Sequence, residues 1–422
     1  MVYESYMRLF DILSILVTVS AIFSYVNYRF LRLPTTIGLM FIALVLSMGL
    51  IALDYLGMSF KQSAADLLSH IDFNETLLHG MLSFLLFAGA IHVDLEDLKS
   101  RKYIISILAT FGVIVSTLMI GGISWWVMGL LGLNLPFIHC LLFGALISPT
   151  DPIAVLSILK HANVPKSLET VITGESLFND GVAVVVFLVL MGIAGGGHGH
   201  DVSVSGTVML FAKEILGGIL FGLAIGTAAN WMMKTIDNYQ VELFITLAVV
   251  TGGFSLANAL HLSGPIAVVV AGLQVGNHGR TLAMSAITQK HIDDFWEFVD
   301  DILNAVLFVL IGMEVLVLTF SGPFLIAGII MIPVVLGVRF LSVGFPVILL
   351  RRFRDFSPNI IKILTWGGLR GGISVAMALS LPEGPSRDVL IAVTYSVVIF
   401  SILVQGMTVE KLVRSRNLSN TE

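Results

Sequence analysis

Ser148-Pro149-Thr150-Asp151-Pro152 breaks one apolar run, and Gly174-Glu175-Ser176-Leu177-Phe178-Asn179-Asp180-Gly181 opens the next. A charged side chain at the centre of a bilayer costs roughly 2.5–3.5 kcal/mol on insertion scales, so such groups mark ion or proton pathways. Here three carboxylates, Asp151, Glu175 and Asp180, fall within thirty residues. The prolines remove backbone donors and clash with the preceding turn, which predicts a helix interrupted near 148–152. A second break is predicted at Trp366-Gly367-Gly368-Leu369-Arg370-Gly371-Gly372, where four glycines surround an arginine. Unwound backbone at membrane depth survives only where protein covers it or it lines a cavity. Paired interrupted helices in two halves of a chain are the signature of an inverted-repeat transporter with its site near the midplane.

The rest of the chain supports a membrane protein. Of 422 residues, 56% are hydrophobic and 12% charged, with mean hydropathy +0.95. A soluble domain carries about 25% charged residues, so that class is excluded. A spanning helix needs roughly 20 apolar residues. Apolar runs of about that length are expected at 9–27, 34–53, 77–93, 103–131, 136–160, 167–194, 207–232, 241–260, 264–278, 298–318, 322–350, 360–381 and 387–414, about thirteen in all. The broken segments are the fifth and twelfth, and an odd offset gives them opposite directions, as inversion requires. These spans leave no room for a soluble regulatory domain within the sequence. The first run carries Glu4 and Asp11 in place of a basic leader and reads as a helix, not a signal peptide. Cys140 is the single cysteine and forms no internal disulfide.

Lysine and arginine set orientation. With these spans, seventeen of the 23 fall in alternate loops, from Arg29 and Arg32 to Lys411, Arg414 and Arg416. Four (Arg8, Lys61, Lys213, Arg387) fall on the other side, and Arg339 and Arg370 fall within spans. The asymmetry places the N-terminus outside and the C-terminus in the cytoplasm.

On a helix, Ser176 and Asp180 share one face and Glu175 and Asn179 the neighbouring strip. A dehydrated Na⁺ wants several hard oxygens, and Asp151, Asp180, the Ser176 hydroxyl and a Thr150 carbonyl freed by the break offer them. A carboxylate in such a site accepts a proton in place of the cation, and that competition is sufficient for antiport. Arg339 lies alone in an apolar run and needs a buried anion, for which Glu175 is the candidate in a structural ion pair. Half-helix ends carry partial charge. Asp151 is placed to offset the start of its second half-helix, and Arg370 the end of a half-helix in the twelfth segment. The plainer readings are a cap for Asp151 and tight packing for the glycines.

The motifs at 148–152, 174–181 and 367–372, with Val241-Glu242-Leu243, 263–272 and Phe308-Val309-Leu310-Ile311-Gly312-Met313-Glu314, resemble the monovalent cation/proton antiporter family, which includes bacterial NhaP and the animal and plant sodium/proton exchangers. The resemblance spans about the whole chain. It implies an all-α, NhaA-like inverted-repeat fold of about thirteen membrane helices. A core of helices at about 77–194 and 298–381 would move against dimerisation helices at about 9–53 and 207–278 in a homodimer. It implies an ion site lined by Thr150, Asp151, Ser176 and Asp180, supported by Glu175, Asn179, Arg339 and Arg370. The Asn179-Asp180 pair resembles the electroneutral branch, which implies one-for-one exchange. One departure is Phe87-Ala88-Gly89-Ala90, where some members carry an acidic residue; here the third helix brings no carboxylate to the site.

Exchange of Na⁺, and of Li⁺ as a tolerated ion, for H⁺ in a bacterial inner membrane is therefore expected. K⁺/H⁺ exchange by the same machinery and a cation channel stay open as alternatives. The chain has no phosphate-binding loop and is not expected to be an enzyme or to need a cofactor, and no nucleic acid is expected as a partner. Gly195-Gly196-Gly197-His198-Gly199-His200-Asp201 reads as a flexible loop more than a metal site. His161 reads as an interfacial residue more than a pH sensor. The mixed segment 281–301 is expected to lie along the membrane surface.

Overall fold

The computed structural model describes residues 2–56, 80–151, 166–195, 204–317, 321–352 and 359–417. Every regular element among these residues is helical, as the sequence predicts. The order begins α1 (Val2–Val26), α2 (Thr35–Tyr55), α3 (Leu82–Ile91), α4 (Leu95–Ala109), α5 (Phe111–Leu130) and α6 (Phe137–Ile147). It continues with α7 (Lys166–Ala194), α8 (Val204–Lys234), α9 (Tyr239–Ala259), α10 (Gly264–Gln274) and α11 (Ala286–Glu314). It closes with α12 (Gly322–Leu350), α13 (Ile360–Trp366), α14 (Gly372–Leu379), α15 (Pro385–Phe400) and α16 (Gly406–Asn417).

Eight helical stretches among the described residues are long and apolar enough to cross a membrane, and Leu82–Ile91 and Phe137–Ile147 are apolar but shorter. The chain is a multi-pass helical protein. Parts of the expected spans, at 77–79 and 152–160, lie outside the described residues.

Two boundaries differ from expectation. The apolar run predicted at 103–131 is preceded by a helical turn and divides at Thr110 into α4 and α5. Asp94 starts α4 by accepting from the Glu96 and Asp97 amides at 2.8 and 3.3 Å. The Thr110 hydroxyl donates to the Ser106 carbonyl at 2.6 Å, a local bond that bends a helix without proline. The second difference is α11, which runs unbroken from Ala286. Its polar first half, expected on the surface, is continuous with the apolar second half. Ser285 caps it at the Thr288 amide. Ile292 and Trp296 are buried on its inner side, with the Trp296 indole donating to the Thr246 hydroxyl at 3.1 Å.

Lipid is as apolar as leucine, so close packing of small residues holds such helices together. Gly218, Gly222 and Gly226 of α8 face α10: a Cβ at Gly222 would meet Val270 at 2.9 Å, and one at Gly226 would meet Ala271 at 3.2 Å. α9 packs on this pair. α5, α6, α7, α12 and α15 form a second group, and α14 packs on α6 and α15. α3 and α11 lie side by side, α3 against α10 and α11 against α2. The broken segments meet inside the second group.

Candidate functional site

Pro149 stops α6, and the chain runs on through Thr150 and Asp151 without helical bonds. The carbonyls freed there are satisfied by the other broken segment. The Arg370 guanidinium donates to the Ser148 carbonyl and, at 2.7 Å, to the Pro149 carbonyl. The Asp151 amide donates to the Leu369 carbonyl at 2.8 Å. Each unwound stretch thus covers the other's backbone. Arg370 sits at the end of α6, the crossing helix, and not at the end of a half-helix of its own segment as expected. Its own amide is held by the Ser401 hydroxyl at 2.9 Å, which fixes the direction of the side chain across the break. Residues 152–165, where the sequence predicts the second half-helix, lie outside the described residues, His161 among them.

Glycine is required at the crossing for space. A Cβ on Gly371 would come within 2.6 Å of the Asp151 carboxyl carbon, and one on Gly368 within 2.7 Å of the Arg339 Nε. Gly371→Ala is therefore expected to displace Asp151 and to cut transport about 100-fold, the scale on which ~1 Å misplacements act at reacting sites. Gly122→Ala, whose Cβ would meet nothing within 4 Å, is expected to transport as wild type in the same vesicle assay.

α7 passes beside the crossing and presents two strips. On one, Arg339 from α12 donates to both oxygens of Glu175 at 2.6 and 2.7 Å. Its Nε reaches the Leu364 carbonyl at 3.4 Å. Asn179 donates to Glu175 at 3.2 Å and to the Thr150 hydroxyl at 2.9 Å, and accepts from the Thr150 amide at 3.3 Å. Glu175, Asn179 and Arg339 form a closed, buried set that clamps Thr150. On the other strip, the Ser176 hydroxyl donates to the Thr150 carbonyl, and Asp180 lies one turn on at 7% exposure. The network consumes the charge of Glu175 and leaves Asp151 and Asp180 as the acids that reach open space.

That space is a cavity of about 640 Å³ lined by Thr150, Asp151, Leu177, Asp180 and 371–374. Ala88 and Gly89 of α3 line it as well, at the place where the sequence lacks an acid. Asp94, Asp97, Glu169, Glu297, Asp300 and Asp301, exposed or half-buried, line it too. Lys166, paired with Asp97 at 2.8 Å, is the one lysine among the described lining residues. Such a lopsided vestibule concentrates cations. The structure brings together all eight predicted site residues, Thr150, Asp151, Glu175, Ser176, Asn179, Asp180, Arg339 and Arg370.

Sequence reasoning missed the vestibule acids, the Leu369 carbonyl, Ser401 and the role of Gly371. The acids of α11 carried a signal, since Glu297, Asp300 and Asp301 fall on one helical face. The others depend on which segment crosses which. Among the described residues no three histidines, cysteines or carboxylates are arranged to hold a metal, and residues 196–203 lie outside them.

The family described as sodium/hydrogen exchanger, transmembrane, matches residues 15–415. The Na⁺/H⁺ antiporter NhaP of Pseudomonas aeruginosa is 51% identical over 409 residues, 96% of either chain. The Na⁺/H⁺ antiporter NhaH of Halobacillus dabanensis is 34% identical over 98% of either chain. The structure of the sodium proton antiporter MjNhaP1 of Methanocaldococcus jannaschii at pH 8 has the same fold, with TM-score 0.74 at 20% identity over 97% of this chain and 98% of that one.

Proposed function

Because the chain belongs to the sodium/hydrogen exchanger family, we propose that it exchanges Na⁺ for H⁺ across a membrane as a secondary antiporter. The observation that carries this reading is the crossing of two unwound segments beneath an acid-lined cavity, with Asp151 and Asp180 at its floor. Asp151, Asp180, the Ser176 hydroxyl and the Thr150 carbonyl supply the cation with oxygens of the hard type it prefers. The proton takes the Asp180 carboxylate when the cation leaves. Glu175, Asn179, Arg339 and Arg370 hold the unwound backbone and do not touch the cargo. The names of the relatives favour Na⁺ over K⁺, and Li⁺, the smaller ion, is accepted by the same oxygens.

The cycle is alternating access. The cavity is open on the side of Lys166 and the α4 lysines, which the positive-inside rule assigns to the cytoplasm of a bacterial inner membrane. The group around the crossing moves against α1, α2 and the α8–α10 group, which also form the homodimer contact. One cation is exchanged for one proton, since Glu175 is neutralised by Arg339 and the position beside Asp180 is an amide.

Competition for one site has a measurable sign. As pH falls through the range where protons occupy the site, the half-saturating Na⁺ concentration is expected to rise about tenfold per pH unit, with maximal rate little changed. Clamping the membrane potential leaves a one-for-one rate unchanged. Tracer Na⁺ uptake into vesicles at several pH values checks both. A half-saturation independent of pH would mean separate sites for the two ions.

A further inference from the structure

Ser374 is 1% exposed, and its hydroxyl has no hydrogen-bond partner. Among the described residues it is the one buried hydroxyl without a partner that also belongs to the lining of the central cavity. It lies in the first turn of α14, one turn beyond Gly371, whose backbone abuts the Asp151 carboxylate. Gly371 is the extended N-cap of α14 and Ser374 the third residue of its first turn, and both line the cavity together with Asp151. Its neighbours Ile373, Val375 and Ala376 are apolar, and the α3 wall of Leu82, Leu85, Leu86, Ala88 and Gly89 offers no side-chain oxygen. A buried hydroxyl left unpaired is unfavourable, and at the wall of a cavity it is satisfied by what the cavity holds.

We propose that Ser374 is a specificity-determining residue of the ion site, its hydroxyl giving the cation an oxygen from the second broken helix. This rests on the antiport reading and extends it. The oxygens of Thr150, Asp151, Ser176 and Asp180 come from one broken segment and from α7. Ser374 adds a donor from the other broken segment, so the cation bridges both half-helix breaks. The ligand is a desolvated monovalent cation, and the smaller the ion, the more it loses when one oxygen is removed.

The test compares wild type, Ser374→Ala, Ser374→Thr and, as a matched control, Ser20→Ala. Ser20 is also buried with an unpaired hydroxyl, but it lies on α1, away from the cavity. Half-saturating Na⁺ and Li⁺ are read from proton efflux in reconstituted vesicles, and thermal unfolding of each purified protein is read beside them. Ser374→Ala is expected to raise half-saturating Na⁺ about tenfold. It is also expected to change the Na⁺/Li⁺ ratio at least about threefold and to leave the unfolding temperature unchanged or raised. Ser374→Thr keeps a hydroxyl and is expected to restore most of the affinity. Ser20→Ala is expected to change neither ion constant. Unchanged ion constants in Ser374→Ala, or a variant that unfolds early or fails to fold, would overturn the proposal by giving the hydroxyl a structural role or none. A wild type without cation-driven proton movement would instead remove the antiport reading itself.

Discussion

Asp180→Asn is expected to abolish exchange, reducing cation-driven proton movement at least about 100-fold with the protein still folded. The amide has the shape of the acid, so packing around position 180 survives. It carries no charge to offset a desolvated cation and takes up no proton in the relevant range, so both half-reactions lose their ligand. Neighbouring acids do not substitute: Glu175 is held at both oxygens by Arg339, and Asp151 is fixed in place by the Leu369 carbonyl and Gly371. The check is Na⁺ binding by scintillation proximity on purified protein, alongside size-exclusion behaviour. Binding within tenfold of wild type would mean that Asp180 is not the ion's anchor.

The second large effect is on stability. The Glu175–Arg339 pair is bidentate, with the side chains 2% and 6% exposed. Removing one partner from a buried pair strands the other charge and costs about 3–5 kcal/mol. Arg339→Met and Glu175→Leu alone are each expected to yield little folded protein. The double variant replaces both by apolar side chains of similar volume, which restores stability to within about 1–2 kcal/mol of wild type. It does not restore transport, because Asn179 loses the Glu175 acceptor at 3.2 Å and with it a support of its hold on Thr150. A double-mutant cycle on thermal unfolding is expected to give a coupling of at least about 2 kcal/mol. Additive effects would mean that the pair is incidental to the fold.

The parts of this protein that were legible in the sequence are those where local chemistry is unusual. Pro149 and Pro152 around Asp151, and four glycines around Arg370, announce breaks because they crowd helix-weakening residues about a charge, whereas the spaced Pro333 and Pro346 sit inside continuous α12. Arg339 announces a buried partner because a lone arginine in an apolar run is costly without one, and Glu175 is that partner. What the sequence did not show is where a side chain goes once two segments cross. Arg370 reaches the Ser148 and Pro149 carbonyls, more than two hundred residues away in the chain, and not the end of its own half-helix. The kink at Thr110 was hidden because a hydroxyl bonding back to Ser106 leaves no compositional trace. The start of α11 was misplaced because its charged face, which lines the vestibule with Glu297, Asp300 and Asp301, resembles that of a surface helix. Hydropathy averages over faces, whereas the fold separates them.

The central claim is that this chain couples a cation to a proton. The most direct measurement traps a pH-sensitive dye in acid-loaded vesicles holding the purified protein, clamps the potential, and adds Na⁺, Li⁺, K⁺ or choline outside. Prompt alkalinisation with Na⁺ and Li⁺, at a rate indifferent to the clamp and absent in Asp180→Asn, is the predicted result. No alkalinisation with any ion in folded protein, or Na⁺ entry without proton movement, would contradict it.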